Sequence, residues 1–241
     1  MRKRADIVLV ERGFFASRAR AQAAIAAGLV SVGGVALKKA SSEIAGDAPI
    51  EAEAPHPWAS RGGVKLAAAL DAFALDPTGL VCLDIGASTG GFTDVLLARG
   101  GAKVIAVDVG HGQLDPRLAA DPRVRSLEGV DARALAAAML GETPEVIVID
   151  VSFISQRLVL PHVLELAAER AWLVSLIKPQ FELDRTDLVK GRVRSEAALM
   201  RACDDVRATI EAEGWTIIGL IPSPILGGAG AREFLIGARH D

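Results

Sequence analysis

Apolar and polar positions divide the chain into two patterns, and the change falls at Pro55-His56-Pro57. After this break, short continuous apolar runs alternate with stretches in which apolar residues recur at helical spacing. Such runs predict buried strands and such stretches predict helices. The strands are expected at Leu80–Leu83, Lys103–Val107, Val124–Leu127, Val146–Ile149, Trp172–Ile177, Trp215–Ile221 and Glu233–Gly237. The helices are expected at 92–99, 133–140, 156–169 and 195–213.

This alternation predicts an α/β domain over residues 58–241, with helices covering both faces of a mostly parallel sheet of seven strands. Only the segment Pro222–Ala231 separates the last two strands. Because so short a connection cannot cross over the sheet, we expect that pair to be antiparallel.

The pattern before the break predicts a small α+β domain over residues 1–57. Two short helical stretches, Asp6–Gly13 and Ser17–Gly28, each end at a glycine, which is a common helix stop. Leu29–Val32 and Val35–Lys38 flank Gly33-Gly34, which predicts two strands joined by a tight turn.

Charge is distributed unevenly along the chain. The 241 residues carry a formal net charge of −3, which by itself predicts no polyanionic partner. Residues 1–40, however, carry +6 and the remaining 201 carry −9. A basic segment on an acidic body is typical of proteins that contact nucleic acid. The candidate RNA-binding residues here are Arg4, Arg18, Arg20, Lys38 and Lys39; the alternative is a solvated helix face that is basic by chance.

Composition also argues against several classes of protein. With 51% hydrophobic residues the chain can build a packed core, so it is not disordered. Cys82 and Cys203 lack metal-ligand spacing, which predicts no metal site, no disulfide framework and a cytoplasmic location. Ile7–Val10 is too short for the apolar part of a signal peptide, and the uncharged run Ala21–Leu37 is too polar for a membrane span.

A glycine-rich turn, Ile85–Phe92, follows the first strand of the α/β domain, where open sheets bind nucleotide-like ligands. Asp84 precedes this turn and suits a ligand that carries an ammonium group. Asp108 follows the second strand, where a carboxylate can accept both ribose hydroxyls, and Asp131 follows the third strand, near an adenine amino group. Each acid alone is more often a cap or turn residue, but together they fit S-adenosylmethionine. The predicted cofactor-binding residues are Asp84, Gly86, Ser88, Gly90, Gly91, Phe92, Asp108 and Asp131.

Four charged residues form a second constellation. Asp150 and Lys178 end adjacent parallel strands, Glu233 opens the last strand, and Lys65 lies on the helix that leads into the sheet. All four are therefore expected at the edge of the sheet where ligands bind. Considered one at a time, Lys65 and Glu233 are typical of solvated surface residues. Lys178 follows an apolar run, so it is harder to explain as a solvated surface lysine.

These motifs together resemble the TlyA family, also known as hemolysin A, whose members are rRNA 2′-O-methyltransferases. The resemblance implies a class I, Rossmann-like methyltransferase domain of the FtsJ type, with a Lys-Asp-Lys-Glu tetrad, and an N-terminal S-four RNA-binding module over residues 4–54. The motifs that carry it are Ser60–Leu66, Asp84–Phe92, Asp150–Ile154, Lys178–Glu182 and Glu233–Leu235 in the larger domain, with Ser17-Arg18, Ala21, Ile25, Gly28–Val30 and Val32 in the module.

The resemblance implies S-adenosylmethionine as cofactor, ribosomal RNA or a ribosomal subunit as substrate, and no role for DNA, membrane or metal. In this reading Lys178 is the base, which must be neutral at attack and which the charge of Lys65 helps to keep neutral. Asp150 orients Lys178, and Glu233 steadies Lys65 or the ribose. The loop Leu183–Arg194 would hold phosphates through Arg185, Lys190, Arg192 and Arg194, unless it is an ordinary basic surface loop.

Two other functions stay open from the sequence. The first is a pore-forming or hemolytic protein, which no strongly amphipathic segment supports. The second is a non-catalytic ribosome-binding or assembly factor, in which the basic segment binds RNA alone; an intact tetrad argues against it.

Overall fold

The computed structural model describes residues 2–15, 17–53, 56–189, 191–193 and 195–241. The chain forms two compact units, Met1–Pro57 and Trp58–Asp241.

The first unit packs two helices against short strands. Val8 and Leu9 of the first helix and Ala21 and Ile25 of the second are buried together in its core. The helix pair and the strand–turn–strand are confirmed, in slightly shorter form, and three further strands were not predicted. In chain order the elements are β1 (Arg2–Arg4), α1 (Ala5–Glu11), α2 (Arg18–Ala26), β2 (Val30–Val32), β3 (Val35–Ala36), β4 (Glu43–Ala45) and β5 (Ile50–Ala52).

The second unit is an α/β domain, as predicted. Its strands are β6 (Val81–Ile85), β7 (Lys103–Asp108), β8 (Val124–Glu128), β9 (Val146–Ile149), β10 (Ala171–Ile177), β11 (Leu188–Val189), β12 (Arg192–Val193), β13 (Thr216–Pro222) and β14 (Phe234–His240). Its helices are α3 (Gly62–Phe73), α4 (Gly91–Ala98), α5 (Pro116–Ala119), α6 (Ala137–Leu140), α7 (Leu160–Leu164), α8 (Pro179–Glu182) and α9 (Glu196–Ala212).

Seven of these strands form one mostly parallel sheet in the order β13-β14-β10-β9-β6-β7-β8. β14 is antiparallel to both of its neighbours, so the expected antiparallel pair at the end of the chain is confirmed. The register places Ile177, the last residue of β10, opposite Phe234, the first residue of β14. The start of β14 therefore lies at the same edge as the carboxyl ends of the parallel strands.

Helices cover both faces of this sheet. Leu66 and Leu70 of α3 pack on one face with Leu96 of α4, and Leu160 of α7 and Ile210 of α9 pack on the other. Within the described residues, no helix combines the length and the apolar character needed to cross a membrane.

Two predicted helices are shorter than expected. Instead of one helix over 156–169, the structure has a 3₁₀ turn at Gln156–Leu158, capped by Ser155, and then α7 with a proline in its first turn. Proline is tolerated in a first turn because its missing N–H has no helical partner there. Over 133–140 the chain is extended at Leu135 and Ala136, which separates a 3₁₀ turn from α6.

Candidate active site

Lys178 and Asp150 form an ion pair at the carboxyl edge of the sheet. Asp150 directly follows β9 and Lys178 directly follows β10, and these two strands are parallel neighbours. The Nζ atom of Lys178 lies 2.5 Å from Oδ1 of Asp150 and donates a hydrogen bond of 2.7 Å to Oγ of Ser152. Lys178 is 9% exposed, so its ammonium has lost most of its contact with water. The two oxygen atoms take the place of that water as partners of the charge.

Lys65 and Glu233 form a second, more deeply buried ion pair. Lys65 projects from the first turn of α3, and Glu233 immediately precedes β14. Their side chains are 10% and 3% exposed, and Lys65 donates a hydrogen bond to the Glu233 carboxylate. A Cβ atom at Gly227 would overlap that carboxylate, so the close approach of the 227 backbone requires glycine.

Each lysine of the predicted tetrad has its own carboxylate partner. Lys65 is compensated by Glu233, and Lys178 lies against the Asp150 carboxylate; the influence of Lys65 on Lys178 stays a prediction. The four predicted tetrad residues therefore form two compensated pairs.

A cavity of about 300 Å³ opens beside these pairs. Lys65, Asp150 and Lys178 line it together with the glycine-rich turn after β6. Arg61 also lines it, is exposed, and has no ion pair within the part of the chain that the structure describes. Because Lys65 pairs with Glu233 and Lys178 with Asp150, Arg61 adds one uncompensated positive charge to the cavity wall, a feature that the sequence motifs did not single out.

A second cavity, of about 810 Å³, adjoins the first, and the two share Gly86, Ser88, Asp150 and Ser152 in their walls. This larger volume lies in the range of cavities that hold small organic ligands. Its walls also include two of the predicted cofactor residues, Asp108 and Asp131.

Asp108 and Asp131 offer carboxylate acceptors to the larger cavity. Asp108 accepts backbone N–H groups from Ser88 at 2.8 Å and from Gly110 at 2.7 Å, which fixes its orientation. Hydrogen bonds from Arg133 lower the pKa of Asp131 to about 2, so it is ionised at neutral pH. A carboxylate has about four lone-pair sites, so both can still accept from ligand hydroxyl or amino groups.

Gly86 brings the turn against the tetrad. It has φ of +85°, and a Cβ atom there would lie 2.6 Å from the carbonyl oxygen of Asp150. Ser88 has φ of +48°, an uncommon value for a residue other than glycine. Gly91 and Phe92 line the smaller cavity at the start of α4. Gly86 therefore lines both cavities, and its backbone can lie this close to Asp150 only because glycine has no side chain.

Two predicted cofactor residues, Asp84 and Gly90, line neither cavity. Asp84 is fully buried, and its Oδ2 accepts a 2.6 Å hydrogen bond from Thr93 Oγ1. Burial raises the pKa of Asp84 to about 7. In this structure Oδ2 supports α4 through Thr93, while Oδ1 is buried and accepts no hydrogen bond within the described residues, so the contact of this side chain with a ligand ammonium stays a prediction. Gly90 has φ of +90° and serves as the N-cap of α4.

Three residues around Lys178 were not singled out from the sequence. Ser152 holds the Lys178 ammonium, and Phe153, which is 91% exposed with φ of +64°, stands at the wall of the larger cavity. Glu182 is buried and accepts hydrogen bonds from Ser155 Oγ at 2.6 Å and from the N–H of Gln156 at 2.9 Å. The sequence motifs show which polar residues are present in this region. Which of these residues contact one another depends on the conformations of the loops after β9 and β10.

The predicted RNA-binding residues lie in two groups. In the first unit, Arg4 and Arg18 bind Asp6, while Lys38 and Lys39 are exposed after β3. The backbone N–H of Arg20 donates to Ser17, the N-cap of α2. In the second unit, Arg185 and Arg192 are exposed in and beside the hairpin of β11 and β12. Lys190 and Arg194 lie outside the described residues.

Family models match both units. The model of the FtsJ-like methyltransferase matches residues 58–240, and the model of the S4 domain matches residues 3–49. These matches cover nearly the whole chain and coincide with its two compact units.

Three known proteins are similar to the chain over nearly its whole length. A 16S/23S rRNA (cytidine-2′-O)-methyltransferase TlyA of Mycobacterium tuberculosis is 40% identical over 99% of this chain and 90% of that protein. Hemolysin A of Brachyspira hyodysenteriae is 39% identical over 96% of this chain and 98% of that protein. The solved structure of a proposed hemolysin from Streptococcus thermophilus has a TM-score of 0.80 and 37% identity, and the match covers 99% of this chain and 88% of that one.

Proposed function

The chain belongs to the TlyA family of FtsJ-like methyltransferases with an N-terminal S4 domain, and from this premise we propose that it methylates a ribose 2′-OH of a cytidine in ribosomal RNA, with S-adenosylmethionine as methyl donor. The observation that carries the proposal is the Lys178–Asp150 pair, which stands at the junction of the two cavities.

The larger cavity fits the proposed cofactor. It offers carboxylates at Asp108 and Asp131 for ribose hydroxyls and an adenine amino group, and apolar walls at Val109 and Leu158 for the adenine ring. Gly86 lets the backbone approach where a Cβ atom would not fit. When bound, S-adenosylmethionine supplies a methyl group that its sulfonium already activates toward attack.

Lys178 takes the proton of the 2′-OH in this proposal. A ribose hydroxyl is a poor nucleophile, so alignment and removal of its proton are what the protein must contribute. Lys178 would accept the hydroxyl proton at Nζ, and S-adenosylmethionine, held by residues such as Asp108 and Asp131, would supply the methyl group that replaces this proton on the ribose oxygen. Asp150 and Ser152 hold that nitrogen in place and stabilise the ammonium that forms.

The remaining groups position the RNA. Lys65, held by Glu233, stands at the reacting edge of the smaller cavity, and Arg61 adds a positive charge suited to a backbone phosphate. The exposed ring of Phe153 offers a surface on which a base taken out of its helix can stack.

The basic first unit holds the RNA in this proposal, with Arg4, Arg18, Arg20, Lys38 and Lys39 near phosphates. Its surplus of positive charge supplies sequence-independent attraction to the RNA backbone. In the second unit, the exposed Arg185 and Arg192 offer further positive charge for RNA phosphates. An enzyme of ribosomal RNA works where ribosomes are, in the cytoplasm.

The test is to map ribose methylation in ribosomal RNA from cells with and without the gene, and with the gene carrying Lys178→Arg. We expect a cytidine 2′-O-methyl group that is lost in the deletion and in the variant. Loss in the deletion but full methylation with Lys178→Arg would reject the catalytic assignment.

The hemolytic alternative rests on the names of two similar proteins. Lysis of red cells by the purified protein, retained after Lys178→Ala, would favour it over the methyltransferase. The non-catalytic alternative predicts ribosome binding without any methyl transfer, which the mapping experiment detects.

A further inference from the structure

A buried carboxylate in the first unit gathers three side-chain donors. Asp6, in the first turn of α1, is fully buried. Arg4 donates from Nε to Oδ1 at 3.0 Å and from Nη2 to Oδ2 at 3.1 Å. Arg18, the first residue of α2, donates to Oδ2 from Nε at 3.2 Å and from Nη2 at 2.8 Å. Gln22 also donates to Oδ2, at 2.7 Å.

The two arginines remain open to solvent although their partner is not. The side chains of Arg4 and Arg18 are 44% and 53% exposed, whereas that of Asp6 is 0% exposed. Each guanidinium binds Asp6 through Nε and Nη2, and neither Nη1 makes a hydrogen bond within the described residues. Two cations against one carboxylate leave a net charge of +1 at the surface.

The geometry also brings the two guanidinium groups close to each other. Nη2 of Arg4 and Nη2 of Arg18 both contact the same oxygen, Oδ2 of Asp6. Without a carboxylate between them, two like charges at this separation would repel each other and their side chains would sample many rotamers. A planar guanidinium with fixed orientation binds a phosphate with little further loss of entropy.

We propose that Asp6 is a positioning residue that holds Arg4 and Arg18 as a two-arginine clamp for one phosphate of the RNA backbone. This inference rests on the proposed function, because it takes RNA as the partner of the first unit. Asp6 itself does not touch the RNA; it acts through the two arginines.

Net charge and positioning predict opposite changes in RNA affinity for the substitution Asp6→Asn. Asp6→Asn removes a negative charge from a surface that binds a polyanion, so charge alone predicts tighter binding. Positioning predicts weaker binding, because the amide is uncharged and its NH₂ group, in place of Oδ1, cannot accept the hydrogen bond from Arg4 Nε. Glu11→Gln is the matched control: Glu11 lies on the same helix, pairs with Lys3 at 2.8 Å, and changes the net charge by the same amount.

The measurement is the affinity of the full chain for purified large-subunit ribosomal RNA at several salt concentrations. For Asp6→Asn we expect affinity to fall roughly tenfold, the size of one lost charge-assisted hydrogen bond. The log–log salt slope should also fall by about 0.7–0.9 for one lost phosphate contact. Glu11→Gln should bind as tightly as wild type or tighter. Equal or tighter binding by Asp6→Asn would overturn the clamp.

Arg18→Lys gives a second test that leaves the buried carboxylate itself in place, since the substituted residue is half exposed. It keeps the charge but loses the paired contact with Asp6, so we expect weaker RNA binding at unchanged net charge; wild-type binding would contradict the clamp. In a cycle with Arg18→Ala, the effect of Asp6→Asn on RNA affinity should shrink, because part of the clamp is already gone, whereas an effect of Asp6 that does not act through Arg18 predicts additive losses.

The same titration distinguishes a failure of the proposed function from a failure of the two-arginine clamp. If the wild-type chain does not bind ribosomal RNA, the proposed function itself fails. If the wild type binds and Asp6→Asn binds equally well, only the clamp fails.

Discussion

The Nζ atom of Lys178 lies 2.5 Å from Oδ1 of Asp150, with Ser152 Oγ as its second acceptor. Two neighbouring parallel strands end at these residues, so the pair is fixed by the sheet itself and not by a mobile loop. Three of the tetrad residues line the smaller cavity, and the larger cavity has the size of a small-ligand site, which supports the proposal that a methyl donor and its acceptor meet beside this pair.

Asp108 is expected to hold the cofactor. Asp108→Asn should weaken binding of S-adenosylmethionine by roughly 10–100-fold, since hydrogen bonds to a charged acceptor are lost. Isothermal titration calorimetry measures this directly. Asp121→Asn is the control, because Asp121 also accepts a backbone N–H, from Arg123 at 2.9 Å, but lines neither cavity. Equal affinity of both variants would remove Asp108 from the cofactor site.

Asp84 should make the stability of the protein fall with rising pH. Burial raises the pKa of Asp84 to about 7, whereas in the unfolded chain it has its ordinary value near 4. Between these values the unfolded chain has released a proton that the folded protein still holds, so rising pH favours unfolding. Below this window both states are protonated and the effect is absent.

Urea denaturation from pH 4 to pH 8 checks this expectation. Over this range the free energy of unfolding of the wild type should fall by roughly 2–4 kcal/mol relative to that of Asp84→Asn. Asp76→Asn, at an exposed position, serves as control. Parallel pH curves for wild type and Asp84→Asn would show that Asp84 is ionised in the fold.

The Lys65–Glu233 pair should behave as a buried ion pair. Lys65→Met alone leaves the Glu233 carboxylate buried without its partner, which should lower the free energy of unfolding by about 3–5 kcal/mol. Adding Glu233→Leu should recover part of that loss, because no uncompensated charge remains. The exposed pair Arg99–Asp71 is the comparison: Arg99→Met should cost less than about 1 kcal/mol. Equal, small losses at both pairs would mean that Glu233 is solvated.

The sheet and the tetrad could be predicted because both follow from the order of strands along the chain. Asp150 and Lys178 each follow an apolar run, and residues at the ends of neighbouring parallel strands meet at one edge. The short strands β1, β4 and β5 have at most three residues each, too few for an alternating pattern to stand out.

Side-chain burial and pairing could not be predicted in the same way. Asp84, for example, precedes the glycine-rich turn, but its place in the sequence does not show that its carboxylate is fully buried and bound to Thr93. Similarly, Arg18 looks like a free surface cation, while its partner Asp6 lies on another helix. The position of Gly86 against Asp150 means that Gly86→Val would disturb the tetrad as well as the cofactor site.

The most direct test of the central claim is the single-turnover rate of methyl transfer to ribosomal RNA by Lys178→Arg. Arginine keeps the charge and can still pair with Asp150, but a guanidinium does not deprotonate in proteins and so cannot take a proton. The control is Lys103→Arg, which makes the same lysine-to-arginine change at a residue that pairs with Glu142 and lines neither cavity. Calorimetry with S-adenosylmethionine should give near-wild-type affinity for both variants. We predict that Lys178→Arg lowers the rate by roughly 10²–10⁴-fold, the usual contribution of a general base. A near-wild-type rate would contradict the role of Lys178 as base and leave alignment as the source of catalysis.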